Sequence, residues 1–168
     1  MRTNTDGPRA TAGKFLTFLL QDETYGVPIL LVREIIAVHP ITPLPHLPDH
    51  VRGVINLRGR IIPVIDLRLR LGMPARPYDS HTCIVVIDAR MDDREESTPM
   101  GCIVDTVSEV LSVDAAHLEP TPSFGPSVNT SIALGLARHP TRKCVVTLLD
   151  MQAILSDLDE CVPLHEAA

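Results

Sequence analysis

Four of the chain's fifteen prolines, Pro40, Pro43, Pro45 and Pro48, fall within nine residues. Each removes a backbone donor and biases its predecessor toward an extended conformation, so neither a long helix nor a central strand passes through them. The other prolines and the nine glycines cut the rest of the 168 residues in the same manner. What remains between them is short runs of branched aliphatics: Val, Ile and Leu number 49, against three Phe, two Tyr and no Trp. Many short branched runs with Gly/Pro-rich turns specify a mainly all-β chain. Such a chain buries ample apolar surface, which excludes global disorder, and no apolar run approaches the ~18 to 20 residues of a membrane span. The length fits one domain, or two very small half-domains sharing a core.

Along the chain, Lys14 to Leu20 reads as a strand, and Gln21 to Thr24 as a turn. Tyr25 begins a new extended piece, and Ile29 to Val38 suits a short helical turn leading into a strand. Val51–Asn56 and Arg60–Asp66 are two strands around Leu57-Arg58-Gly59, where Gly59 permits a tight connection. Leu67 to Leu71 has an apolar period of two, which argues strand, yet Asp66 is a good N-cap and Gly72 a good C-terminal stop; the caps favour one short helix. Met73 to Ser80 is a linker, and Thr82–Asp88, Met100–Asp105 and Val107–Val113 are three further strands. Glu119 to Thr130 reads as a long loop, followed by a strand pair at Ile132–Ala137 and Lys143–Leu149. Asp150 caps a last helix with Met151, Ile154, Leu155 and Leu158 on one face. Gly53–Asp66 and Gly135–Asp150 repeat one order: glycine, strand, polar turn, apolar strand, aspartate, short helix. The echo fits two similar small barrels.

The formal net charge is −6 and the arginines are scattered, apart from Arg58, Arg60, Arg68 and Arg70. Nucleic acid, which selects a dense basic face and aromatic platforms, is a poor match. The acidic run at 92–96 reads as a solvated loop tip. Cys83, Cys102, Cys144 and Cys161 form no C-x-x-C pair, and the first 13 residues lack the apolar core of a signal peptide, which favours a reduced cytoplasmic protein.

No nucleotide-binding glycine motif, nucleophile elbow or zinc-protease motif is present, and nothing calls for a cofactor. His46-Leu47-Pro48-Asp49-His50 is the best metal candidate, but Pro48 disrupts the helix that would put both imidazoles on one face. Asp66, Asp88 and Asp105 each close an apolar strand and read as caps and turn-formers rather than acid–base groups. Glu34 and Arg58 are charges set among apolar residues, where an unpaired charge is costly; they either pair with each other or meet a protein partner. Ile35 to Val38, with Ile41, reads as core or as an exposed apolar edge.

Tyr25-Gly26-Val27, Val32-Arg33-Glu34-Ile35-Ile36, and Gly53-Val54-Ile55-Asn56-Leu57-Arg58-Gly59 with its continuation Pro63-Val64-Ile65-Asp66-Leu67-Arg68 resemble the CheW family of bacterial chemotaxis coupling proteins. Gly101 to Val110, Ala133 to Ala137 and the Leu149–Asp150 join continue the likeness, which covers about residues 14 to 158, between tails at 1–13 and 159–168. The resemblance implies two intertwined SH3-like five-stranded β-barrel subdomains with a few short helices. It implies a non-enzymatic adaptor, cytoplasmic and recruited to receptor arrays without inserting in the membrane. The implied partners are the chemoreceptor cytoplasmic tip and the regulatory domain of the histidine kinase CheA. Carried over residue by residue, Val32, Glu34, Gly53, Asn56 and Arg58 match the receptor-facing surface, and Ile36, Val38 and Ile41 the kinase-facing edge of the first barrel. Two other readings stand beside this one: a coupling protein of a chemotaxis-like pathway for pili or gene expression, and a metal-dependent hydrolase using His46, Asp49 and His50. An appended receiver domain is not expected at this length.

Overall fold

The computed structural model describes residues 11–89, 98–121 and 132–155. The acidic run at 92–96, most of the 119–130 segment, Leu158, Cys161, most of the proposed N-terminal tail and all of the C-terminal one lie outside the described residues.

The chain opens with an antiparallel hairpin, β1 (Gly13–Leu20) and β2 (Glu23–Pro28). Its two-residue turn puts both Gln21 and Asp22 at positive φ, the form whose twist matches the flanking strands. A 3-10 turn at Ile29–Leu31 leads into β3 (Val32–Ala37). The Pro-rich stretch adds no strand beyond an isolated bridge between Thr42 and Val54. A second hairpin follows, β4 (Val51–Leu57) and β5 (Arg60–Asp66), then helix α1 (Leu67–Arg70). The capping residues decide this last element as expected: the Asp66 carboxylate accepts the Arg68 amide at 3.0 Å, and Gly72 stands at φ 84 just beyond the helix.

Next come β6 (Cys83–Ala89), β7 (Thr98–Val104) and β8 (Thr106–Val113), then β9 (Leu118–Glu119). The hairpin β10 (Ala133–Arg138) and β11 (Val145–Leu149) ends in α2 (Met151–Leu155), where the Asp150 carboxylate accepts the Ala153 amide at 3.1 Å. Glu119, expected in a loop, instead lies in the two-residue β9, which pairs with Leu136 and Ala137.

Two sheets result, in the orders β8-β1-β2-β11-β10-β9 and β3-β6-β7-β5-β4. Leaving β9 aside, they share one plan: a lone edge strand, a hairpin, a parallel junction, and a second hairpin that leads into a short helix. The parallel junctions are β2 with β11 and β5 with β7. The chain therefore exchanges hairpins between halves. Its first hairpin joins the sheet built from the C-terminal strands, and β6–β7 joins the sheet containing β3, β4 and β5. The repeat seen in the sequence is real at the level of detail: Gly53 and Gly135 each sit at a register shift in the equivalent strand, with φ 138 and 158.

Both faces of the central strands are buried, which explains their unbroken apolar runs. Ile55, Ile62, Val64, Ile84, Val86 and Ile103 fill the inside of the five-stranded sheet. Phe15, Leu111, Val113, Ala137, Val146 and Leu148 fill the six-stranded one. In both clusters, residues from opposite ends of the sheet meet, so each sheet is rolled on itself. The alternate residues, among them Phe18, Leu20, Ile65, Val85, Ile87 and Met100, join Met151, Ile154 and Leu155 in a third core between the sheets.

One buried ion pair ties this together. Arg68 meets Asp105 through two 2.6 Å bonds, with side-chain exposures of 8% and 16%. Burial opposes ionisation of Asp105, but Arg68 and the Gln21 amide overcome it and hold the carboxyl below its usual range. Asp105 is not a simple turn-former, as its strand-end position had suggested. Asp88 likewise pairs with Arg33 at 2.6 Å, while Asp66 is a cap that also accepts the Tyr78 hydroxyl at 3.0 Å.

Removing either partner should leave the other charge buried and cost about 3 kcal/mol, measured by chemical denaturation of Arg68→Ala and Asp105→Asn. Because the Asp105 pKa is depressed in the fold, its contribution is complete above the ordinary carboxylate range and fades as the pH falls through the folded value. Asp105→Asn should therefore flatten part of the acid limb of the stability profile. Burial also pushes the Cys102 thiol up to about 12. Alkylation at pH about 8 should mark the half-buried Cys83 and Cys144 and spare Cys102, read by peptide mass mapping.

Candidate protein-binding site

The connection between β4 and β5 is a two-residue turn in which Arg58 (φ 54) and Gly59 (φ 83) both take the left-handed conformation. Glycine accepts this freely, whereas arginine does so at a cost of about 1 kcal/mol or more. Asn56 stabilises the turn by accepting the Gly59 amide on its side-chain oxygen at 2.9 Å. The side chain of Arg58 is thereby thrown across the mouth of the rolled sheet to β3. There it meets Glu34 in a two-point contact of 2.8 and 2.7 Å. The fork-to-fork geometry is one that lysine cannot reproduce. Arg58 remains 74% exposed and Glu34 24% exposed, so the pair is formed yet open to a partner.

Beside the pair lies a groove of about 440 Å³ lined by Arg33, Glu34, Leu57, Arg58, Arg60, Ile62, Val86 and Pro99. Its floor is the inner core of the five-stranded sheet, and its rim is guanidinium and carboxylate. The structure thus brings Glu34, Asn56 and Arg58 together, and adds Arg60 and the Arg33–Asp88 pair, which the sequence reading did not place there. Arg60 follows the turn directly, and this position is the signal that could have found it.

Val32 begins β3 and packs half-buried against the core between the sheets. Gly53 is in a different situation from its expected neighbours. It is buried in mid-strand at φ 138, and a Cβ placed there would come 2.0 Å from the Thr42 carbonyl oxygen. That approach lets Thr42 and Val54 exchange two 2.9 Å backbone bonds, which strap the Pro-rich segment onto β4. Ile36, Val38 and Ile41 lie along this strap and the edge strand. They pack half-buried, with Leu57, against the inner core, while Ile35 turns outward at 43% exposure. The alternatives of core and edge are therefore divided by side-chain parity along β3.

His46, Asp49 and His50 do not form a chelate. Their segment is a pair of turns, and among the described residues no three His, Cys, Asp or Glu side chains converge as metal ligands. No helix among the described residues is long and apolar enough to cross a membrane.

Two rolled β-sheets sharing one core, with clasped charges over an apolar groove, define a double-barrel protein-contact module. A model of the CheW-like domain matches residues 14–159. The chain is 36% identical over 143 residues to a chemotaxis protein CheW of Klebsiella aerogenes, covering 85% of this chain and 81% of that one. It is 38% identical over 137 residues to the chemotaxis protein CheW of Rhizobium meliloti, covering 80% and 84%. The crystal structure of the scaffolding protein TtCheW from Thermoanaerobacter tengcongensis superposes with a TM-score of 0.73 at 31% identity, over 86% of this chain and 93% of that one. The chain belongs to the CheW-like family.

Gly53→Ala should break the strap, because a left-handed backbone and a carbonyl contact both oppose the new methyl group. Stability should fall by more than about 1 kcal/mol, with hydrogen-exchange protection lost first at the Thr42 and Val54 amides.

Proposed function

We propose that this chain is a non-enzymatic adaptor in chemotaxis signalling, coupling the cytoplasmic tip of chemoreceptors to the regulatory domain of the histidine kinase CheA. It would act in the cytoplasm, recruited to receptor arrays. The family membership supports the role. The observation that carries the site is the exposed two-point clasp of Arg58 and Glu34 over the adjoining groove.

The receptor-facing set is Val32, Glu34, Gly53, Asn56 and Arg58. A receptor tip helix laying an apolar stripe into a groove would meet two charges already oriented, a recognised mode of helix recognition. Asn56 holds the turn that aims Arg58, and Gly53 seats the strap beneath it, so both act through position rather than contact. The kinase-facing set, Ile36, Val38 and Ile41, lies on β3 and the strap. Because all three pack with Leu57 on the same inner core, the two surfaces share one rigid support.

Arg58→Ala and Glu34→Lys should abolish receptor-stimulated kinase activity in a reconstituted receptor–adaptor–kinase assay. The thermal unfolding transition should remain close to that of the parent chain, since the pair is exposed. Unfolding of both variants would make the pair purely structural and remove the site assignment.

A further inference from the structure

Three guanidinium groups line the groove beside the clasp, and the fold treats them differently. Arg58 is held by Glu34 in the two-point contact, and Arg33 by Asp88 at 2.6 Å. Among the described residues the Arg60 guanidinium has no hydrogen-bond or ion-pair partner.

Backbone geometry sets this free cation beside the groove floor. Leu57 and Arg60 are the paired residues that flank the two-residue turn, so their side chains share a face of the hairpin. Leu57 packs on the inner core of the five-stranded sheet. Strand parity gives the same face, because Arg60 alternates with Ile62 and Val64, both buried in that core. The methylene stem of Arg60 thus follows the apolar side of the groove while its charged head stays in water.

We propose, on the reading of this groove as receptor-facing, that Arg60 is the specificity determinant of the site. It takes the carboxylate of an aspartate or glutamate set within the apolar stripe of the receptor tip helix. Charge complementarity identifies this partner. The Arg58–Glu34 and Arg33–Asp88 pairs are each neutral as units, so Arg60 leaves the groove positive in a chain whose formal net charge is −6. The acidic remainder of the chain is screened beyond about 8 Å at physiological ionic strength, and a contact carboxylate meets the guanidinium at far shorter range. The guanidinium offers a carboxylate two parallel N–H donors, which fixes direction as well as attraction. At the clasp, Arg58 is already engaged by Glu34, whose negative charge disfavours a second carboxylate there. An acidic side chain is therefore steered to the β5 side of the groove, which sets the rotation of the helix lying in it. A basic residue at the same point of the helix would face Arg60 across an apolar floor and be rejected.

Titration calorimetry of the full chain with the cytoplasmic tip fragment of its receptor tests this. Arg60→Glu should weaken tip binding by about tenfold or more, and Arg60→Gln by a smaller factor. Both variants should unfold at the parent temperature and bind the CheA regulatory domain as the parent does. Arg60→Gln keeps most of the stem and carries the comparison if charge reversal disturbs the hairpin. In a set of tip fragments with each acidic residue changed singly to arginine, one should bind Arg60→Glu better than it binds the parent chain. Parent-like tip binding by Arg60→Glu, alongside loss in Arg58→Ala, would overturn the role of Arg60 and leave the receptor-facing site standing. A set in which no fragment prefers Arg60→Glu would overturn it as well. Parent-like binding in Arg58→Ala, Glu34→Lys and Arg60→Glu together, or no tip binding by the parent chain, would remove the receptor-facing site and this inference with it.

Discussion

The chain crosses from one rolled sheet to the other immediately after β7, and the residue at that crossing is Asp105. Its carboxylate is bound by the Arg68 guanidinium from α1 and by the Gln21 amide from the first hairpin turn, with Arg76 of the linker 3.5 Å away. Arg68 also donates to the Pro74 carbonyl at 3.2 Å. One ion pair therefore joins the crossover, a helix, a hairpin turn and a linker. A buried pair of this sort adds little net stability against a well-packed apolar alternative. Its value here is directional, because apolar packing between the sheets is compatible with many relative rotations and this pair with few.

That constraint matters because the two halves exchange hairpins. A strand placed in the wrong sheet would still bury its branched side chains. The third core is built from alternate residues of strands whose other face fills a barrel, so a shift of one residue would exchange the two sets. Where burial alone does not choose, the choice falls to directional groups: the Arg68–Asp105 pair, the caps at Asp66 and Asp150, and Arg70 donating to the Ile154 carbonyl between the two helices at 3.0 Å. The aliphatic and aromatic-poor composition follows from the same architecture. Three thin cores, built mainly from strands, favour short branched side chains over large rings.

These directional groups also explain what could be read from the residues alone. Local devices were legible: the Leu57-Arg58-Gly59 connection, the Asp66 and Asp150 caps, and the glycine-to-helix repeat, because each is specified within a few neighbouring residues. Glu34 and Arg58 were recognisable as charges set among aliphatic residues along the chain, although the fold leaves Arg58 74% exposed and only Glu34 partly covered. Which partner they take depends on rolling β3 over to the β4–β5 turn, which no local pattern encodes. Arg68 looked like one of several arginines on an ambiguous short segment, and its burial depends on Asp105, 37 residues away. Gly53 looked like part of a surface signature, but its reason for being glycine lies in the Thr42 carbonyl above it.

A coupling adaptor converts one contact into another, so the stiffness between its surfaces sets what it can transmit. The proposed receptor and kinase surfaces lie on one barrel and share the cluster around Ile62, Val86 and Leu57, with the strap hydrogen-bonded to β4 between them. Close-packed interiors respond to displacement by discrete repacking rather than gradual yielding. The clasp at Arg58 and Glu34 keeps two long side chains in one geometry, which at the proposed receptor surface would lower the entropy lost on binding. The left-handed turn position of Arg58 stores a modest strain. A lysine at that position would keep the charge and lose the fork, and with it the orientation that a partner helix would read.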